Sequence, residues 1–194
     1  MSGRYDHLCS YLDMLGAGAE PGELIELRYR LPDPDGLGRY FEPVGSAHAL
    51  ATRALMLARS TDTYVGCAPR LRRGGTRGDV AASRGRVGRP RHPAGRAAAG
   101  AVLAPPVVIA SGSDTNVHAY WPLTDRARAQ DLASANRKLA HALAGDGGSV
   151  TNPAGILRPP GTRNHKHQPS SRVEALQLEP GRRGERSLLP TKEL

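Results

Sequence analysis

The sequence predicts a mixed fold of the α+β class, with α/β as its neighbour, built on one sheet backed by helices. Three observations carry this. Segments with strand-like alternation and segments with helical periodicity are interspersed along the chain. Hydrophobic residues make up 39% of the 194 residues, enough for a core, but aromatics only 4%, so that core must rest on Leu, Val, Ile and Ala. Gly (23) and Pro (16) are both abundant, so much of the rest is loop.

Tyr5, Leu8, Leu12 and Leu15 recur at helical spacing and Gly16 follows as a stop, which predicts a short amphipathic helix. Leu24, Ile25, Leu27 and Tyr29 among charges predict a strand over 23–29. Residues 32–36, Pro-Asp-Pro-Asp-Gly, make a turn, and 39–44 return as a hairpin partner. Ser46 is the expected N-cap of a helix running to Arg59, with Leu50, Ala54, Leu55, Leu57 and Ala58 inward. Residues 63–68 read as a buried strand ended by Pro69, and 70–77 as a basic, Gly-rich loop.

Residues 107–111 and 117–122 read as two strands joined by a turn at Ser113, Asp114, Thr115 and Asn116. Asp125 is expected to open a helix reaching about Leu143, with Leu132, Ala135 and Leu139 inward. Ile156 and Leu157 precede the turn Pro159-Pro160-Gly161, and 173–178 are a last strand. Residues 81–104, rich in Arg, Gly, Pro and Ala, show no period and are expected to stay out of the sheet. The expected organisation is one domain over 1–178 and a polar, disordered tail over 179–194.

Lys and Arg number 27 against 18 acidic residues, a formal charge of +9. Such a balance favours polyanionic partners, because basic side chains release counterions from phosphate; Arg-rich codon usage is the plainer source of the same excess. Arg70, Arg72, Arg73 and Arg77 of the Gly-rich loop are the expected DNA contacts. Cys9 and Cys67 have no partner at metal-ligand spacing, which argues against a zinc ribbon and for free thiols in a reducing compartment. No stretch reaches the roughly 20 apolar residues of a membrane span, so a cytoplasmic protein with no membrane partner is expected.

Two clusters carry chemistry. In the first, a strand ends in Ser111-Gly112, turns, and restarts with His118, followed by Tyr120 and Trp121. Small residues at a strand end let a phosphate approach backbone N–H groups, and a histidine on the next strand can donate to it. An ordinary hairpin with a hydrogen-bonded histidine is the simpler alternative. In the second cluster, Arg158 precedes Pro159-Pro160-Gly161, and Thr162, Arg163, Asn164, His165, Lys166 and His167 follow. Turn-locking prolines next to mixed donors suit a triphosphate or a DNA phosphate, which Arg binds bidentately.

These clusters, in this order and joined by the helical Asn136-Arg137-Lys138-Leu139-Ala140-His141 run, resemble the RepB-like primase domains of the archaeo-eukaryotic primase superfamily, in their actinobacterial, phage or plasmid forms. Glu26 to Arg30 and Tyr64 to Arg70 extend the resemblance, which covers roughly residues 20–80 and 105–178. It implies an RRM-like sheet backed by helices, and a nucleotidyltransferase that binds nucleoside triphosphates and a single-stranded DNA template to make primers. It also implies a replicative helicase as partner. His118 is implied as the catalytic residue that contacts the incoming phosphates, with Ser111 and Gly112 beside it. Arg158, Thr162, Asn164 and Lys166 are implied to close the site. Mg²⁺ or Mn²⁺ is the implied cofactor, activating the 3′ hydroxyl and clamping the leaving phosphate.

The resemblance also calls for an Asp-x-Asp strand between the Tyr64-Val65-Gly66 strand and Ser111. No Asp or Glu stands between Asp79 and Asp114. The composition there is that of GC-rich DNA read in a shifted frame. Gly88 to His92 can be encoded so that the neighbouring frame reads Ala-Asp-Leu-Asp-Thr, with the frame restored near Pro105. A basic insert that binds DNA without sequence preference is the alternative, and a decayed product is another. The remaining metal candidates are Asp146, after the long helix, and Asp114, in the turn before His118.

Overall fold

The structure is a computed structural model that describes residues 2–32, 36–88, 104–113, 116–143 and 151–183. Helix α1 (Ser2–Gly16) buries Leu8, Leu12 and Leu15 of the predicted stripe together with Tyr11, while Tyr5 stays half-buried. Strands β1 (Leu24–Arg30) and β2 (Leu37–Pro43) form the expected hairpin, with Leu27 opposite Tyr40. Helix α2 (Ala47–Leu57) buries Leu50, Ala51 and Ala54, but Ser46 makes no side-chain cap bond at its start. Strand β3 is Thr63–Gly66, and a 3₁₀ turn covers Arg77–Asp79. Then come β4 (Ser83–Gly88), β5 (Val107–Ala110), β6 (Val117–Ala127) and helix α3 (Ala129–Ala142). Strands β7 (Ile156–Leu157), β8 (Arg163–Asn164), β9 (Ser171–Arg172) and β10 (Glu174–Leu178) follow.

The class is α+β, and all strand pairs among the described residues are antiparallel. Where one sheet was expected, the strands divide into two four-stranded sheets, ordered β2-β1-β3-β7 and β10-β5-β6-β4, plus the small pair β8-β9. One core serves both sheets. Ile25, Leu27 and Val65 from the first meet Val87, Val107, Ile109 and Tyr120 from the second, together with the buried face of α1. Tyr11 of α1 ties the layers: its hydroxyl lies 2.7 Å from that of Tyr120, with the rings edge to face.

Two further expectations need correction. Asp125 does not open a helix. Strand β6 runs on through Ala127, where it pairs with Ser83, and α3 begins at Ala129 with Arg128 at its N-cap. Burial of Leu123 and Ala127 beneath Leu132 holds this extension in the sheet. Nor is 81–104 irregular throughout: residues 83–88 form β4, an edge strand along β6. Its outer side is covered by α3, where Asn136 Oδ1 accepts the Val87 N–H at 3.2 Å. Neither Arg nor Gly signals a strand here; pairing supplied by the neighbours overrides local preference. Residues 89–103 and the tail 184–194 lie outside the described residues. No helix among the described residues is long and apolar enough to cross a membrane.

Candidate nucleotide and nucleic-acid site

The first cluster sits at the end of β5. Ile109 pairs with His118, and Ser111 N–H donates to Asn116 O at 3.0 Å, so the ladder continues past the strand end. Alternation then puts Ser111 and His118 on one face as diagonal neighbours, with Cβ atoms roughly 7 Å apart. Both residues are buried. Ser111 Oγ has no hydrogen-bond partner among the described residues. Gly112 follows at φ +71°, in the left-handed region, and a Cβ there would meet the Arg172 carbonyl and Asn164 Cβ at 3.0 Å each.

That contact is where the second cluster arrives. Asn164 is fully buried, and its Nδ2 donates to Gly112 O at 3.0 Å and to Ser113 Oγ at 2.7 Å. Its Oδ1 accepts the backbone N–H of Lys166 at 3.2 Å, fixing the start of an exposed stretch that carries Lys166 and His167. A single amide thus joins the β5 end to the segment after the Pro-Pro-Gly turn. Strands β8 and β9 hold that segment, with Arg163 donating to Ser170 O and Oγ.

Arg158 and Thr162 take parts different from those their sequence neighbourhood implies. Arg158 is buried, and its Nε and one terminal nitrogen donate to Asp62 Oδ1 at 3.1 and 3.0 Å. The same guanidinium donates to Tyr64 Oη at 3.2 Å and stands over the Tyr64 ring. Asp62 Oδ1 also accepts the His165 N–H at 2.9 Å. Asp62 and Arg158 therefore latch the segment 158–165 to the start of β3. Thr162, fully buried, donates to Pro159 O at 2.7 Å and closes the turn. Nothing in the sequence marks Asp62 for this task, because an acidic residue before a strand looks like any loop residue.

The basic loop also differs from expectation. Arg70 is completely buried and pairs with the equally buried Glu26 at 2.8 Å, so it is not a DNA contact. Its backbone bridges Leu24 and Val80, which turns the side chain inward. Glu26 holds Arg28 as well, at 2.7 Å. Arg72, Arg73 and Arg77 are exposed. Arg72 pairs with Asp79 at 2.6 Å. Asp79 in turn accepts from the Thr76 hydroxyl and backbone N–H, at 2.6 and 2.9 Å. The Thr76 hydroxyl, then Arg72, hold the Asp79 carboxyl well below the usual carboxylate range.

A divalent cation needs converging oxygen ligands. Among the described residues no group of three His, Cys, Asp or Glu comes together. Asp62 and Asp79 are engaged by Arg158 and Arg72. Strand β4, in the interval where the resemblance calls for an Asp-x-Asp strand, runs beside β6 as far as Gly88 opposite Ala119, the neighbour of His118, and residues 89–92, where the neighbouring frame would supply the two acids, lie outside the described residues. Its sequence is Ser-Arg-Gly-Arg-Val-Gly, without a carboxylate. The described donors therefore do not fit Mg²⁺ or Mn²⁺. Asp114 and Asp146 lie outside the described residues.

No family model and no curated protein matches the chain. Solved structures do. The AEP domain of the cyanophage S-2L primase–polymerase superposes with a TM-score of 0.69 at 16% identity, over 95% of this chain and 97% of that one. The catalytic domain of primase RepB′, solved with initiator DNA, gives 0.69 at 14% identity, over 95% and 90%. A second RepB′ structure gives 0.69 at 13%, over 95% and 60%. Across nearly its whole length, this chain has the RepB-like primase–polymerase fold.

Proposed function

We propose that this chain is a replication domain of the primase–polymerase type that binds nucleoside triphosphate and single-stranded template DNA, and that as written it does not synthesise primers. One observation carries the reading: Asn164 ties the Ser111–Ser113 strand end to the 158–166 segment, one ladder step from His118, on a fold shared with primases. In this reading Ser111 Oγ, the Gly112 backbone and His118 receive the triphosphate, while Lys166 adds charge at the rim. Arg158 and Thr162 act through the loop they hold. Arg72, Arg73 and Arg77 contact template phosphates. The solved RepB′ complex with DNA supports a DNA partner for the fold.

Primer synthesis needs a metal held beside the 3′ hydroxyl, and phosphate-binding cations cannot substitute for the carboxylates that place it. The test compares this chain with a version carrying the Asp-x-Asp strand of the neighbouring frame. Both should bind labelled nucleotide. Only the second should extend primers with Mg²⁺ or Mn²⁺. Robust synthesis by the uncorrected chain, retained in D146A and D114A variants, would refute this account.

A further inference from the structure

A second cationic site is built around α3. The 3₁₀ turn, the start of α3 and residues 151–153 enclose a cavity of about 530 Å³. Three guanidinium groups line it: Arg77 from the turn, Arg128 at the α3 N-cap and Arg137 farther along the helix, with Ala129, Ala133 and Pro153 between them. Arg128 is paired with Asp131 at 3.0 Å. Arg77 and Arg137 have no ion-pair partner among the described residues, and Asp79, the nearest acid in sequence to Arg77, pairs with Arg72. The charged side chains among the described lining residues are all basic, and a cleft lined by one sign focuses its field and concentrates counterions.

The ligand class follows from the lining. Guanidinium forks match phosphate oxygens. The volume falls within the range of roughly 300–1,000 Å³ that holds a small ligand, here one nucleotide unit. Among the described residues no aromatic side chain lines the cavity, so these residues offer no stacking platform and read no base. Arg128 follows the far end of β6 from His118, whereas Arg137 succeeds Asn136, whose side chain meets Val87 opposite Tyr120, so the cavity extends from the end of β6 back along β4.

We propose that this cavity binds a backbone phosphate of the single-stranded template, through Arg77 and Arg137. The inference rests on the reading that the chain binds template, and the experiment separates the two. A labelled oligothymidylate is titrated by fluorescence anisotropy between low and moderate salt, with wild type, R77A/R137A and R77K/R137K. One lost phosphate contact should flatten the slope of log K against log salt by about 0.7 in the alanine variant. The lysine variant should keep the wild-type slope. Both arginines are exposed, so circular dichroism should be unchanged; if the alanine variant unfolds, R77Q/R137Q carries the same expectation. Inorganic triphosphate, titrated calorimetrically, should bind wild type and variant alike. An unchanged slope in the alanine variant overturns the proposal and removes Arg77 from the template contacts, while wild-type binding of the oligonucleotide keeps the template reading through Arg72 and Arg73. Lost triphosphate binding with an unchanged slope also overturns it and assigns the cavity to free nucleotide. A wild-type chain that binds no oligonucleotide overturns both.

Discussion

Asp62→Ala should unlatch the 158–166 segment. Asp62 Oδ1 accepts from the Arg158 guanidinium twice and from the His165 backbone once, and both Asp62 and Arg158 are buried. Removing one partner of a buried pair leaves a desolvated charge, at a cost of about 3–5 kcal/mol. The orphaned His165 N–H adds about 1 kcal/mol. For a domain of this size each kcal/mol lowers Tm by roughly 2–4 °C, so a fall of roughly 10–20 °C is expected. The assay is urea unfolding followed by circular dichroism, with D62A, R158M and D62A/R158M completing a cycle. The double variant should be more stable than D62A, because the lone charge is gone. A loss below about 1 kcal/mol for D62A, at an unchanged denaturant slope, would show that the latch is ornamental. Nucleotide affinity should fall with the latch even under conditions where the variant is fully folded, since Asn164 is carried on the same segment.

Gly112→Ala should destabilise by about 1–2 kcal/mol from the left-handed backbone alone, and the 3.0 Å approaches to the Arg172 carbonyl and Asn164 Cβ should add to that. Its nucleotide affinity should drop more than its stability predicts; wild-type affinity would remove Gly112 from the site. The Asp79 carboxyl, whose folded pKa lies below its unfolded value, contributes stability that is present above the ordinary carboxylate range and lost only as pH falls through the depressed value. The 72–79 loop should therefore keep its structure at pH 4. Carboxyl chemical shifts that titrate Asp79 near pH 4 would contradict this.

Periodicity alone locates α1, the β1–β2 hairpin, α2, β3, β5 and the buried side of α3, because each carries a pattern of its own in Leu, Ile, Val and Ala. The two polar clusters are legible for the same reason: their donors are close in sequence. Strand β4 is not legible, since Ser-Arg-Gly-Arg-Val-Gly becomes a strand only through the β6 edge and the α3 side chain beside it. Two residues of the same type end differently because of their neighbours. Arg70 is turned inward by its bridges to Leu24 and Val80, onto Glu26, while Arg77, seven positions later, lines a cavity with Arg137. Composition sets how much charge a chain carries, and local pattern shows roughly where most of its helices and strands lie. Which charges are buried in pairs and which are left to face a ligand depends on contacts between distant segments, such as Asp62 with Arg158 and Asn164 with Gly112, and only the folded chain makes them.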